Sequence, residues 1–457
     1  MKKHMTQETT NVRGLALDTI LAIMEKDQYC DQALHATLDS HPQLDARDRA
    51  FLNRLVSGTV ERCVEMDYVL NRYSKTPVAR MKPVIRNLLR MSVYQILYMD
   101  QVPDSAACNE AVKLAVARHL MPLKDFVNGV LRNIARFQDD IVYPKRKDDP
   151  VRHLSVWYSM PEWIVKDFLD RYGEERTERI LGSFYDQDHE TTVRCNLTCQ
   201  SREEIVASLR RQNVTVQEGT MFPNALHISS YGRLTDLEAF QKGWIQVQDE
   251  SSMLVGEMAP DSPQELALDV CAAPGGKSIH IADRWHGEGR IIACDVHEKK
   301  VSLIRQNLIR TGFHNVKLKK NDARKLREEW VGQAQLVVAD LPCSGLGVIG
   351  KKCDIKYKTT RQDIQTLARQ QRQMLEVVGQ YVQPGGILIY STCTIAREEN
   401  EDNVAWILEH LPFEAVSIED RLPVPLQGQT GDRGYIQILP DMVYSDGFFV
   451  AVFRRIG

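Results

Sequence analysis

The sequence predicts a multidomain protein: an all-α N-terminal bundle, a small α/β module, and a C-terminal doubly wound α/β domain on a mainly parallel sheet. Three observations carry this. Helical periodicity runs almost unbroken from residue 11 to about 138. A charged, proline-containing stretch follows at 139–152. Beyond about residue 241, short apolar strand candidates alternate with helical stretches, the order that builds a parallel sheet. The expected division is 1–140, 141–240 and 241–457, because 457 residues exceed what one core ordinarily serves.

In the N-terminal part, Val12, Leu15, Ala16, Ile20, Ile23 and Met24 form one helical stripe. Phe51, Leu52, Leu55, Val56, Val60 and Cys63 form another. Pro83 opens a segment that is apolar nearly all round, which places it at the centre of a bundle. Asp104 or Ser105 is expected to cap the next helix, and Phe126, Val127, Val130, Leu131 and Ile134 carry the last. The stretch at 139–152 reads as a linker.

From 153 to about 240 the pattern is mixed. Thr191–Leu197, Val214–Gln217 and Ala225–Ile228 read as short strands, and Arg202–Gln212 as a helix. Further on, strands are expected at Leu266–Val270, Arg290–Cys294, Val316–Lys319, Leu336–Ala339 and Ile387–Tyr390. Phe448–Phe453 is expected as a late antiparallel edge strand.

Composition narrows the class. Hydrophobic residues make up 43% and charged residues 26%, as in ordinary globular proteins. No run of about 18 apolar residues suggests a membrane span, and Met1–Glu8 lacks an apolar signal core, so a cytoplasmic location is expected. The ten cysteines are scattered without C-x-x-C pairs, which favours free thiols over disulfides and gives no metal site. A net charge of −3 neither supports nor excludes nucleic acid, since binding can use local basic faces.

Leu266–Val270 runs into Cys271-Ala272-Ala273-Pro274-Gly275-Gly276-Lys277-Ser278. Strand, small-residue turn and helix form the place where α/β sheets bind nucleotide-like ligands. The next strand ends at Asp295, nineteen residues after Gly276, where a carboxylate can accept from both ribose hydroxyls. Asn321-Asp322 ends the third strand and suits an adenine edge. A Walker loop would need glycine where Cys271 stands, and no G-x-G-x-x-G is present, so diphosphate cofactors are disfavoured.

Two cysteines lie beyond strand ends on that same rim: Cys343 in Asp340-Leu-Pro-Cys-Ser-Gly, and Cys393 in Tyr390-Ser-Thr-Cys-Thr. A nucleophilic thiol needs exposure and a lowered pKa, which such loops permit. Cys30, Cys63, Cys108 and Cys294 read as buried structural residues, and Cys271 as a small turn residue.

Asp-Val-Cys-Ala-Ala-Pro-Gly-Gly-Lys, Ala-Asp-Leu-Pro-Cys-Ser-Gly and Tyr-Ser-Thr-Cys-Thr resemble three motifs of the RNA 5-methylcytosine methyltransferase family. Gln248–Val255 resembles the segment before its cofactor loop. Asp48–Leu52, Asn109–Ala115 and Phe126–Arg132 resemble the NusB-like RNA-binding domain found in bacterial 16S ribosomal RNA members. The resemblance covers nearly the whole chain. It implies a Rossmann-like methyltransferase domain preceded by a small RNA-recognition-like module, with S-adenosylmethionine as cofactor.

The resemblance also implies roles. Cys393 attacks carbon 6 of cytosine, Cys343 serves loss of the carbon-5 proton and enzyme release, and Asp340 binds the cytosine edge. Ala272, Ala273, Pro274, Gly275, Gly276, Lys277, Ser278, Asp295, Asp322 and Asp340 hold the cofactor, with Lys277 also on the substrate side. A looped or flipped cytosine of 16S ribosomal RNA is the expected target, in free RNA or a partly assembled subunit, with the enzyme a monomer. Cys353 departs from the proline common in relatives and leaves the local loop shape open. Lys351, Lys352 and Lys356 read equally as phosphate contacts or as a solvated basic loop.

Three other readings compete. A non-catalytic RNA-binding or assembly factor is opposed by the two cysteines, and a nicotinamide dehydrogenase by the missing glycine fingerprint. A transfer-RNA cytosine methyltransferase shares the catalytic motifs, and the NusB-like region favours ribosomal RNA.

Overall fold

The computed structural model describes residues 11–185 and 190–457. The leading residues, read above for a signal core, lie outside them. Two compact units emerge: Met1–Gly182 with Lys351–Lys358, and Ser183–Gly350 with Thr359–Gly457.

The first unit is helical. Its opening helices are Val12–Glu25, Cys30–Ser40, Ala46–Glu61 and Cys63–Tyr73, followed by Pro83–Tyr98, Asp104–Ala117 and Lys124–Arg136. Pro83 at the first turn has no N–H to leave unsatisfied, which suits it to start a helix. From Asn87 to Ile96 every residue of that helix is buried, as all-round apolarity predicts for a central helix. Asn11 and Asp45 cap their helices by accepting from Gly14 N and Asp48 N. Asp104 is not a cap. Pro103 holds the extended cap position, and Asp104 sits in the first turn, where the positive end of the helix dipole favours its charge.

The stretch read as a linker contains the start of a helix at Pro150–Trp157, and the longer helix Glu162–Ser183 follows. Up to Gly182 both belong to the first compact unit. Within this unit the segment Lys351–Lys358 is tightly held. Asp354 accepts from Cys30 N at 2.9 Å, and the Cys353 thiol points at Ser57 O at 3.7 Å. Lys356 is 1% exposed and donates to Glu61 O at 2.9 Å. Burial pulls its ammonium down to about 8. Lys356 is therefore a structural residue of the helical unit, which corrects the expectation of a phosphate contact or solvated loop. Lys351 and Lys352 are exposed.

The second unit holds two sheets. β1 (Thr191–Cys195), β2 (Thr215–Glu218), β3 (Ala225–Ser229) and β4 (Ile245–Val247) form an antiparallel sheet in the order β2-β3-β1-β4. With helices Arg202–Arg211 and Glu238–Gln241 between strands, the chain order is β-α-β-β-α-β. β4 extends this module past residue 240, because its edge pairs with β1 from Val193 to Cys195.

The larger sheet contains β5 (Ala267–Asp269), β6 (Ile291–Asp295), β7 (Val316–Lys320), β8 (Ala334–Asp340) and β9 (Val382–Thr392). β10 (Phe413–Ala415), β11 (Tyr435–Ile438) and β12 (Phe448–Arg455) complete it. The order is β10-β12-β9-β8-β5-β6-β7, with β11 also paired to β12. β5 to β9 are parallel, and β12 is antiparallel to β9. β12 is not the expected edge: its residues Phe448–Phe453 are buried and paired on both sides. Alternate residues feed two apolar layers, Leu336 and Val338 one and Val337 and Ala339 the other. The chain steps from β5 to β6 and β7 on one side and to β8 and β9 on the other. The carboxyl ends of β5 and β8 thus flank a topological switch point.

The small sheet and the large one share this unit through a buried ion pair. Arg194 of β1 donates to Asp283 at 2.7 Å, and Asp283 also accepts from Leu197 N and Thr198 N. Among the described residues no helix is long and apolar enough to cross a membrane.

Candidate active site

The loop after β5 begins at the switch point. Gly275 has φ +106° and caps helix Gly276–Arg284. A side chain there would be strained and would meet Ile304 Cγ2 at 3.0 Å, so glycine is required. Ala272 N donates to Cys294 O at 2.8 Å and Asn307 to Pro274 O at 3.0 Å, which hold the turn against the β6 side. The first amides of helix Gly276–Arg284 and its dipole then face the rim, where they favour an anionic group.

Asp269, at the end of β5, was missed by the sequence reading. Its Oδ2 accepts from Ser278 at 2.5 Å, while Oδ1 is buried with no partner at hydrogen-bond geometry. Burial pushes its carboxyl up to about 7. A buried, half-satisfied carboxylate beside a glycine loop fits a ligand bearing a cationic donor. Only an acidic residue two positions before Cys271 could have signalled it.

Asp295 ends β6, nearly buried, and Asn321 N donates to its carbonyl, so the ends of β6 and β7 lie together. Asp322 follows, with Arg324 bonding both its oxygens at 3.0 Å. These hydrogen bonds hold its carboxyl below the usual range.

Beyond β8, Asp340 Oδ2 accepts from Lys277 Nζ at 2.7 Å and Oδ1 from Ser391 Oγ at 2.8 Å. Burial pulls the Lys277 ammonium down, but Asp340 outweighs it and holds the pKa above its ordinary value. The sulfurs of Cys343 and Cys393 are 3.3 Å apart. The Cys343 thiol is pushed well up by its hydrogen bond to Cys393, by burial and by the like charge that Cys393 would carry. Two thiols so close do not ionise together: the first to lose its proton leaves the other protonated. Among the described residues none of the ten cysteines forms a disulfide.

Ser344, Gln371, Glu399 and Asn400 surround these thiols and carried no sequence signal beyond ordinary polarity. Glu399 accepts from Ser344 N at 3.0 Å and Gln371 Nε2 at 2.9 Å. A glycine loop, strand-end carboxylates and a polar rim gathered at one switch point define an α/β domain built to hold a nucleotide-like ligand.

Comparisons agree. Residues 257–454 match the family described as 16S rRNA methyltransferase RsmB/F, residues 10–136 the NusB family, and residues 160–235 the ferredoxin-like domain of RsmF/B-like methyltransferases. The probable ribosomal RNA small subunit methyltransferase B of Bacillus subtilis is 36% identical over 98% of this chain and 99% of its own. Its Synechocystis counterpart is 33% identical over 97% and 99%. The crystal structure of PH0851 has a TM-score of 0.82 at 25% identity, covering 98% of this chain and 99% of that one. The chain belongs to the small-subunit ribosomal RNA methyltransferase B family and is an S-adenosylmethionine-dependent rRNA methyltransferase.

Proposed function

We propose that the enzyme methylates carbon 5 of one cytosine in 16S ribosomal RNA through a covalent adduct between Cys393 and carbon 6 of the base. The observation that carries this reading is the 3.3 Å approach of Cys343 and Cys393 beside the Lys277–Asp340 pair. Carbon 5 of cytosine is a poor nucleophile. A thiolate added at carbon 6 makes the ring an enamine whose carbon 5 can take a methyl group.

Ala272–Ser278, Asp269, Asp295 and Asp322 would hold S-adenosylmethionine, which supplies an electrophilic methyl group. Lys277 lies close enough for its charge to favour a Cys393 thiolate. Asp340 accepts from the cytosine amino group or protonated ring nitrogen and stabilises charge developing there. While Cys393 is ionised, Cys343 stays protonated. Once Cys393 is bonded to carbon 6 its charge is gone, and Cys343 becomes easier to ionise. Having passed its own proton to water, the Cys343 thiolate takes the carbon-5 proton, after which the carbon–sulfur bond breaks and Cys393 leaves as thiolate. Reaching both thiols requires the base to leave any helix, as in a looped or flipped cytosine. The NusB-like helices supply the RNA-binding surface of this reading.

Bisulfite sequencing of 16S ribosomal RNA from cells lacking the gene tests it. One cytosine should lose its protection, and unchanged protection everywhere refutes the assignment.

A further inference from the structure

The residues on either side of each thiol are tied to one buried dipeptide. Glu399 and Asn400 are both 0% exposed. On the Cys343 side, Glu399 accepts from Ser344 N at 3.0 Å and from the Ser344 hydroxyl. Gln371 donates both to Glu399 at 2.9 Å and to Pro342 O at 2.9 Å, so the residues before and after Cys343 are held. On the Cys393 side, Asn400 accepts from the Thr392 hydroxyl at 2.6 Å and donates to Thr394 O at 2.9 Å. The residues before and after Cys393 are held in turn. Ser344 and Thr394 share a hydrogen bond at 2.7 Å, which closes the link between the two loops.

The dipeptide is itself fixed. Tyr390 donates to Glu399 O, and Asn403 donates to the same carbonyl at 3.2 Å. Asn400 donates to Gln437 at 2.6 Å. β8 and β9 are adjacent parallel strands, so their loops leave the sheet side by side; their mutual pairing ends at Asp340 and Ser391, and Thr392 pairs with Phe449 of β12. Beyond these pairs a backbone bond, Gly347 N to Cys393 O at 3.1 Å, joins the two loops, and the side-chain network holds the residues next to each sulfur. A network of fully buried, mutually satisfied polar groups is rigid because each broken bond would strand a desolvated partner.

We infer that Glu399 and Asn400 are positioning residues that set the distance between Cys343 and Cys393, by anchoring both thiol loops to one rigid point. The inference deepens the two-thiol reading, since a handover of charge between sulfurs needs them close.

The test measures spacing without using methylation. Diamide oxidises the pair: both S–H bonds break, an S–S bond forms, and diamide takes the two hydrogens. The Cys343–Cys393 disulfide is followed by peptide mass spectrometry in the full-length enzyme. Glu399→Ala should slow closure roughly tenfold or more, and lower kcat similarly, with KM for RNA and affinity for S-adenosylmethionine nearly unchanged. Glu399→Gln keeps an acceptor toward Ser344 N and an amide that can donate to the Ser344 hydroxyl, so it should restore closure. Ser344→Ala cuts the link to Thr394 with little loss of volume, and decides the matter if Glu399→Ala does not fold. Closure at the wild-type rate in the folded variants overturns the inference, as does a Gln variant as slow as Ala. Inactivity of Cys393→Ala is a separate measurement: if that variant methylates normally, the two-thiol mechanism fails while the spacing result still stands or falls by itself.

Discussion

Lys277 donates to Asp340 at 2.7 Å, joining the loop after β5 to the end of β8 across the switch point. The carboxylate keeps the lysine charged in spite of burial, and the lysine's charge reaches Cys393. Asp340→Asn should lower kcat by about 10²–10³-fold, because the acceptor proposed for the cytosine edge then loses its charge and one of its oxygens becomes a donor amide. Single-turnover methylation with purified 16S ribosomal RNA measures it. A loss confined to KM would assign Asp340 to binding alone.

The thiol order gives a second prediction. Cys393→Ala should abolish methylation and any covalent RNA adduct. Cys343→Ala should form the adduct and fail to release it, leaving a species that survives denaturing electrophoresis. The reverse pattern would exchange the two roles.

Asp269 predicts a pH effect with a definite sign. Its folded pKa of about 7 lies above the unfolded value of 3.8. Between these values the folded protein binds a proton that the unfolded chain does not, so this stabilisation is complete below 3.8 and is lost as pH rises toward 7. Asp269→Asn should flatten that part of the curve of stability against pH in the ligand-free enzyme. Cofactor binding near pH 7 should release a proton from wild type but not from Asp269→Asn, as calorimetry in buffers of different ionisation enthalpy would show.

Arg194 and Asp283 form an ion pair with 0% and 6% side-chain exposure. Asp283→Ala leaves a buried guanidinium without its counter-charge and two backbone amides without an acceptor. A loss of about 3–5 kcal/mol in urea unfolding is expected. A loss below about 1 kcal/mol would mean that water reaches Arg194 on truncation.

Lys351 and Lys352 are exposed, whereas Lys356 is not. If the exposed pair meets phosphate, neutralising both should reduce the slope of log affinity against log salt by about 0.7 per contact on single-stranded RNA. Lys356→Met should leave that slope unchanged. An unaltered slope in the double variant identifies a solvated basic loop.

Much of the site was legible before any coordinates. Gly275 and Gly276 between a strand and a helix, Asp295 after the next strand, and thiols past two later strands all follow from local pattern. Such features depend on residues adjacent in sequence, and strand ends of a parallel sheet share one rim by construction. Glu399 and Asn400 were not legible, because their partners Ser344 and Gln371 are 55 and 28 residues away from Glu399. Lys356 misled for the same reason: its basic surroundings describe composition, while Glu61 lies 295 residues earlier.

The sequence by itself determined the kinds of element, the glycine loop after β5 and the two thiols beyond later strand ends, since periodicity and turn chemistry act over a few residues. Tertiary structure alone decided that the sulfurs stand 3.3 Å apart, that β12 is an interior strand, and that Asp269 is buried beside Ser278. Those facts depend on which distant segments exclude water together, and burial sets both the geometry of polar partners and the charge they can bear.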